Sequence, residues 1–136
     1  MRVEGRIVRS GKYWAVEIPM LDIYTQGRTR KDAFAMLQEA ARLLADDDRF
    51  ELQVFAADGE RFEAAGSDPA AFFALVLRRQ RQARGLSLRD VSQRLGMKSR
   101  NAYARYEQGR AVPTIQKFTE LLKAVNPDVE LVLKAG

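Results

Sequence analysis

The sequence contains no cysteine and no histidine among its 136 residues. Without cysteine the chain forms no disulfide and performs no thiol chemistry, which agrees with a cytoplasmic protein. Without histidine it lacks the commonest general base and metal ligand, so that catalysis would depend on carboxylates, lysines and hydroxyls. These two absences exclude disulfides, thiol chemistry, and catalysis or metal binding by histidine.

Long hydrophobic runs are missing as well. No segment approaches the roughly 18 to 20 apolar residues that a membrane-spanning helix needs. The opening residues, MRVEGRIVRSG, have no apolar core of a secretory signal. We therefore expect a cytoplasmic protein with no membrane partner, and the hydrophobic fraction of 46% is sufficient for a packed core.

Basic residues are concentrated in the second half of the chain. Residues 1–66 contain ten Lys and Arg against twelve Asp and Glu, a net charge of −2, whereas residues 67–136 contain thirteen against six, a net charge of +7. A basic domain joined to a mildly acidic one indicates a polyanionic partner on one side and a different partner on the other.

The first half has the pattern of a sheet with one helix. Alternating apolar residues predict strands over residues 3–9, 13–19, 23–27 and 50–57. Thr29 is a good N-cap for a helix. This helix is predicted to end at Asp46, Asp47 and Asp48, because three carboxylates are unfavourable at the negative end of the helix dipole. Asp58-Gly59 predicts a hairpin turn. The predicted order is β-β-β-α-β, with room for one more short strand at Arg61 to Ala64.

The second half has the pattern of four short helices. Their predicted N-caps are Asp68, Ser87, Ser99 and Thr114, and glycines end the first three. Residues 129–133 predict a final strand, which in a helical domain needs another chain or the sheet domain for pairing. We therefore predict an α+β chain with a sheet domain over residues 1–66 and an all-α domain with a short C-terminal strand over residues 67–136.

Two capped helices around a glycine turn predict a helix-turn-helix, whose second helix enters the major groove of DNA. On the third helix Asn101, Ala104, Arg105 and Gln108 share one face, while Ala102 and the two tyrosines turn the other way. Asparagine can bind adenine, arginine can bind guanine, and alanine can touch a thymine methyl. The predicted DNA-binding residues are Arg89, Lys98, Ser99, Arg100, Asn101, Ala104, Arg105, Gln108 and Arg110.

The tyrosines of the third helix, Tyr103 and Tyr106, have two possible roles. They could stack on bases, but their spacing favours core packing.

The segment GLSLRDVSQRLGMKS, followed by YEQGRAVPT, resembles the helix-turn-helix of lambda-repressor-like (XRE) regulators. The resemblance implies an ion pair between Arg81 and Glu107. The sequence departs from the family pattern at Leu88, where a glutamine that touches phosphate is common. The stretch from Met97 to Gly109 is also one residue longer than usual.

The order of elements in the first half, together with YWAVEIPMLDIYTQGRTRKDAFAMLQEAARLL, resembles the HicB antitoxin family. The matching positions are Pro19, Gln26, Gly27, Thr29 and Ala33. One branch of that family ends in an XRE-type domain with a segment similar to KSRNAYARYE. Leu21-Asp22-Ile23 differs from the stretch with glycine and cysteine that is common there.

The resemblance implies a partial ribonuclease-H-like domain that covers the active site of a HicA-like toxin, an mRNA-cleaving ribonuclease. The chain would be the antitoxin of a type II toxin-antitoxin pair, and would repress its own operon through the helix-turn-helix. An acidic half suits a basic toxin. The candidate toxin-binding residues are Tyr24, Gln26, Asp46, Asp47 and Asp48, whose alternative role is a solvated surface. Because helix-turn-helix proteins bind paired half-sites, we expect a homodimer or higher homo-oligomer on operator DNA.

Two other functions remain open. The chain could be a free-standing transcriptional regulator whose first domain binds a ligand or dimerises. It could also be a nuclease, because ribonuclease-H-like folds can hold divalent metals between carboxylates. Only Glu4, Glu17 and Asp22 are candidates, and strand alternation does not bring them onto one face. We therefore predict that the chain is not an enzyme and has no catalytic residue, no metal site and no cofactor.

Overall fold

The computed structural model describes residues 1–135, which form an antiparallel sheet with one helix, followed by four helices. The sheet half consists of β1 (Val3–Ser10), β2 (Tyr13–Ile18), β3 (Ile23–Gly27), α1 (Arg30–Ala45), β4 (Leu52–Asp58) and β5 (Arg61–Gly66). The helical half consists of α2 (Pro69–Ala83), α3 (Leu88–Arg94), α4 (Arg100–Glu107) and α5 (Ile115–Val125). The predicted α+β class is confirmed, and the predicted extra strand at 61–64 is β5.

The five strands lie in the order β3-β2-β1-β5-β4, and all neighbours are antiparallel. Val16 and Ile18 point to the face that α1 covers, where Ala33 and Leu37 are fully buried. The opposite face of the sheet, called here the open face, carries Glu4, Arg6, Glu17, Tyr24 and Glu63 in the observed registers. The ribonuclease-H-like character of this half remains a prediction.

Helix α1 begins where predicted, at the cap residue Thr29. Its hydroxyl accepts a hydrogen bond of 3.0 Å from the backbone N–H of Asp32. The preceding glycine, Gly27, lies so close to the helix that a Cβ there would be 2.3 Å from the backbone nitrogen of Ala33. The close packing of β3 on the start of α1 therefore requires glycine at this position.

The second hairpin differs in detail from the prediction. Strand β4 starts at Leu52 and continues through Asp58, so that Gly59 and Glu60 form the turn. The pairing of β4 with β5 shifts register between Phe55 and Asp58, and Ala56 within that shift has a φ of 47°. The sequence pattern does not reveal this bulge, because it lies near the end of β4, where few residues follow to show the shifted alternation.

Helix α2 packs against both halves of the chain. Its residues Phe72, Leu75 and Leu77 are buried in a core that also includes Ile18 of the sheet and Leu121 of α5. On the helical side, the ring of Phe73 stacks on that of Phe118 with centroids 4.3 Å apart. One hydrophobic core therefore continues from the sheet into the helical half.

Polar side chains of α2 also bind the short 3₁₀ turn (Pro19–Leu21) that links β2 to β3. The Arg79 guanidinium donates to the backbone oxygens of Leu21 and Asp22, each at 2.9 Å. The neighbouring Gln80 amide donates to the oxygen of Met20 at 2.9 Å. These bonds fix the C-terminal part of α2 against the sheet half.

The predicted C-terminal strand is wrong for the single chain. Residues 129–135 have no regular secondary structure, and within residues 1–135 they form no strand pairing. The sheet ends at β3 and β4, and neither edge strand pairs with this segment, so its backbone groups lack the neighbour that defines a strand. In the described part of the chain, no helix is both long enough and apolar enough to cross a membrane.

Candidate DNA interface

The helix pair α3 and α4 is built from the predicted caps. The Ser87 hydroxyl accepts from the backbone N–H of Asp90 at 3.0 Å, and the Asp90 carboxylate accepts from the backbone N–H of Ser87 at 2.8 Å. Hydrogen bonds from Ser87 hold the pKa of the Asp90 carboxyl below its usual range. The two reciprocal bonds form a capping box that fixes where α3 begins.

A tight turn then leads into α4. Gly96 has a φ of 66°, in the left-handed region that glycine adopts without strain. The Ser99 hydroxyl accepts from the backbone N–H of Asn101 at 3.1 Å and so caps α4. Ser99, predicted as a DNA contact, therefore has a structural role, and its exposed position leaves DNA contact as a prediction.

The inner face of α4 is fixed by a buried ion pair. Nε of Arg81 lies 2.9 Å from each carboxylate oxygen of Glu107, and Nη1 of Arg81 donates to the Leu86 oxygen at 2.8 Å. The side chains of Arg81 and Glu107 are only 14% and 4% exposed. The predicted pair is therefore confirmed, and it ties α4 to the end of α2.

The tyrosines of α4 belong to the inner face. Tyr103 is fully buried and Tyr106 is partly buried, so the prediction that they pack in the core is confirmed. Burial, and after it the negative charge of Glu107, raises the pKa of the Tyr103 hydroxyl. The raised pKa keeps this hydroxyl protonated, and within residues 1–135 it has no hydrogen-bond partner.

The outer face of α4 contains the predicted base-reading residues. Asn101, Arg105 and Gln108 are exposed and line one shallow depression, whose margin Arg110 completes. Ala104 lies in the same depression but is only 8% exposed. Its contact with a thymine methyl remains a prediction, since a partner would reach it only from within the depression.

Ala102 lies on the outer face, although the helical spacing predicted it on the inner one. It is exposed and lines the same depression. Because both Tyr103 and Glu107 are buried, the inner face is centred between them. Compared with the prediction, the inner face is therefore rotated about the helix axis towards Ala104 and away from Ala102. Ala102 is an outer-face residue that the sequence pattern missed.

The ten basic residues between Arg78 and Arg110 divide into two equal groups. Five of them bind protein groups through their guanidinium atoms: Arg78, Arg79, Arg81, Arg84 and Arg94. The other five are exposed and have no side-chain hydrogen bond or ion pair within residues 1–135: Arg89, Lys98, Arg100, Arg105 and Arg110. We call this second group the free cations. All five belong to the predicted DNA-binding set, and such side chains are suited to phosphate contact.

The predicted toxin-binding residues do not form one patch. Tyr24 is 71% exposed on the open face of the sheet. Gln26 lines a depression at the edge of β3, where Tyr13, Arg28 and Met36 are also found. Asp46, Asp47 and Asp48 follow the end of α1, the helix that covers the other face of the sheet. Tyr24 and Gln26 therefore lie on a different surface from the three aspartates, and the roles of all five residues remain predictions.

Carboxylates in the sheet half do not form a metal site in the described structure. Within residues 1–135, no group of three or more acidic, histidine or cysteine side chains is placed to hold a metal ion. Glu4 and Glu17 both lie on the open face, whereas Asp22 binds Arg79 at 3.4 Å.

Comparison with known proteins agrees with the geometry of the helical half. No curated protein matches the chain. Residues 73–133 match the family model described as a helix-turn-helix domain, a range that runs from within α2 to the segment that follows α5. The match supports an XRE-like helix-turn-helix. The chain therefore contains a helix-turn-helix DNA-binding domain, which indicates a transcriptional regulator.

Proposed function

We propose that the chain is an antitoxin of a type II toxin-antitoxin pair, which binds and inhibits a HicA-like mRNA-cleaving toxin and represses its own operon. The observation that carries the proposal is the joining of two different surfaces in one chain. An acidic sheet half with an uncovered face is fixed to a helix-turn-helix that carries the five free cations.

On the operator side, α4 lies in the major groove. Asn101 binds adenine and Arg105 binds guanine, since each side chain can make two hydrogen bonds to that base. The other four free cations bind phosphates and set the register of the helix on the duplex; they are Arg89, Lys98, Arg100 and Arg110. The other five basic residues bind protein groups and do not contact the DNA; they are Arg78, Arg79, Arg81, Arg84 and Arg94.

On the toxin side, the sheet half presents its exposed tyrosine and its excess of carboxylates. A basic toxin is attracted by this charge, and Tyr24 supplies contact area at a low cost in side-chain entropy. The aspartates after α1 lie on a different surface and steer the encounter rather than fill the interface.

The direct test is the reading frame next to this gene. It encodes a basic protein of on the order of 60 residues if the proposal holds, and the two proteins copurify. RNA cleavage by the purified neighbour stops on addition of the present chain. The double variant N101A/R105A serves as the control, because it retains toxin inhibition while losing operator binding. An unrelated neighbour with no copurifying toxin contradicts the antitoxin assignment.

A second function is favoured by one specific feature, the depression beside β3. Tyr13, Gln26, Arg28 and Asp32 bring polar groups to a concave surface where a small ligand would fit. The chain would then be a free-standing regulator. Ligand-dependent operator binding without any protein partner, lost in R28A, would favour this alternative over the antitoxin.

A further inference from the structure

The last described stretch of the chain, residues 130–135, is exposed and forms no helix or strand. Within residues 1–135, no backbone hydrogen bond reaches this stretch. Leu131 is 53% exposed, Val132 75% and Leu133 100%. Large apolar side chains beside unpaired backbone donors and acceptors are the features of an edge that accepts a further strand.

The beginning of this segment is anchored to the helical half. Val129 is buried in the core, and its backbone N–H donates to the oxygen of Asn126 at 3.2 Å. The ammonium group of Lys123 donates to the Val129 oxygen. Residues two apart in a strand share a face, so Leu131 and Leu133 would continue the face that Val129 buries once this segment pairs as a strand.

We propose that residues 129–135 of two copies pair as antiparallel strands across a two-fold axis at Val132. In this register Glu130 of each chain lies opposite Lys134 of the other, and Leu131 lies opposite Leu133. The opposite charges of Glu130 and Lys134 attract each other, and the two-fold symmetry produces this ion pair twice. The charge pattern of this segment therefore identifies a second copy of the same chain as the partner.

The register is specific. Moving the axis by half a residue, to the point between Val132 and Leu133, places Glu130 opposite Ala135 and Leu131 opposite Lys134. That arrangement loses both ion pairs and sets an apolar side chain against an ammonium group. A slip of this kind also exchanges the two faces of the strand, so the apolar pattern and the charges select the same axis.

The resulting ribbon has two different faces. One face holds Val129, Leu131 and Leu133 of both chains and continues onto the helical halves that bury Val129. The other face holds the central Val132 pair between the two Glu130–Lys134 pairs. A two-stranded ribbon is marginal alone, and packing of its apolar face on the two domains supplies the missing stability.

Pairing replaces one ion pair of the single chain. Lys134 now binds Glu63 of β5 at 2.9 Å, and Glu63 also binds Arg2 at 3.1 Å. When Lys134 moves to Glu130 of the second copy, Arg2 remains to compensate Glu63. The exchange therefore leaves no carboxylate without a partner cation. Dimer formation needs neither DNA nor toxin. The dimer relates two copies of α4 by one axis, and only the use of these two helices on DNA rests on the proposed function.

Charge reversal with the full-length chain tests the pairing. Wild type, E130K, K134E and the double variant are compared by analytical ultracentrifugation. Each single variant sets like charges opposite each other at both symmetric pairs, so we expect a dimer dissociation constant about ten-fold higher. The double variant restores the dimer, and an equimolar mixture of the two single variants forms a heterodimer. The variant E120K, an exposed reversal on α5, is the control and dimerises like wild type.

A single introduced cysteine locates the axis, because the chain has none of its own. Only the residue on the axis lies opposite itself, where the Cβ atoms are about 5 Å apart. V132C therefore cross-links to itself under mild oxidation, roughly ten-fold faster than the control L131C, whose two copies are diagonal neighbours about 7 to 8 Å apart. Circular dichroism verifies that both variants fold.

Several outcomes overturn the inference. They are a monomeric wild type at every concentration, a dimer that E130K and K134E both retain, and cross-linking of L131C as fast as that of V132C. The proposed function fails separately. Operator binding and toxin inhibition by a monomeric chain would refute only the pairing, whereas a dimer without either activity would refute only the function.

Discussion

Asn126, at the end of α5, donates a hydrogen bond of 2.8 Å to the side-chain oxygen of Gln80, whose amide nitrogen donates to the backbone oxygen of Met20 at 2.9 Å. One buried side chain thus connects the end of the helical half with the turn between β2 and β3. The position of the DNA-binding half relative to the sheet half depends on this amide.

Replacement of Gln80 by alanine therefore destabilises the whole chain. The change leaves the oxygen of Met20 and the amide of Asn126 without their partner, and we expect the free energy of unfolding to fall by about 2 kcal/mol. Urea denaturation followed by circular dichroism measures this loss. Q93A, on the exposed face of α3, is the matched control and changes stability by less than about 0.5 kcal/mol. Equal stability of Q80A and Q93A would contradict a structural role for the amide.

The Arg81–Glu107 pair leads to a second stability prediction. E107A leaves the guanidinium buried without its carboxylate and lowers the free energy of unfolding by about 3 kcal/mol. The double variant R81M/E107L removes both charges and recovers most of that loss. E120A, at an exposed pair on α5, is the control and has little effect. A double variant no more stable than E107A would show that packing, rather than charge, holds α4 in place.

Among the free cations, the base-reading Arg105 differs from the phosphate-binding Lys98 in its effect on DNA binding. R105A weakens operator binding by roughly 1 to 3 kcal/mol and relaxes the base preference. K98A weakens binding to all sequences equally and reduces the slope of log K against log salt by about 0.9. Fluorescence anisotropy across a salt series measures both quantities. R84A is the control, because Arg84 binds Asn126 and Asp128 and its loss leaves the slope unchanged. Identical effects of R105A and K98A on operator and random DNA would refute the division of roles.

The capping box makes the stability of α3 depend on pH. Hydrogen bonds from Ser87 lower the pKa of Asp90 in the folded chain, so the ionised carboxylate stabilises the fold above the unfolded pKa of about 3.9. That contribution is lost as the pH falls through the lower folded pKa. The advantage of wild type over D90A is therefore largest near neutral pH and disappears in acid, as urea denaturation at several pH values would show. Exposed Asp58, which caps no helix, supplies the control variant D58A. A constant advantage of wild type over D90A from neutral to acidic pH would exclude the carboxylate as the cap.

Local signals in the sequence predicted most of the fold. The caps Thr29, Asp68, Ser87, Ser99 and Thr114 all accept the expected backbone hydrogen bonds, because a cap depends on residues three or fewer positions away. The alternation of β1 to β3 depends likewise on near neighbours. These elements were predictable because their causes are close together in the chain.

Other features depend on contacts across the chain and were not predictable in the same way. The division of ten basic residues into bound and free groups depends on distant acceptors, such as the Leu21 oxygen for Arg79. The burial of Ala104 and the exposure of Ala102 depend on the orientation of α4, which the ion pair between Glu107 and Arg81 fixes. The strand over 129–133 failed because its pattern describes a segment suited to pairing, and no edge of the single chain supplies the partner.

Helix α2 contributes to the packing of both halves, and this has a consequence for how the chain unfolds. Its residues Leu75 and Leu77 contact a core that neither half closes alone. A break at residues 65–67 would separate that helix from its apolar partners in the sheet half, so neither fragment would be stable in isolation. Heat should therefore melt the chain in one cooperative calorimetric transition, and the protein would not exist with an intact DNA-binding half and an unfolded sheet.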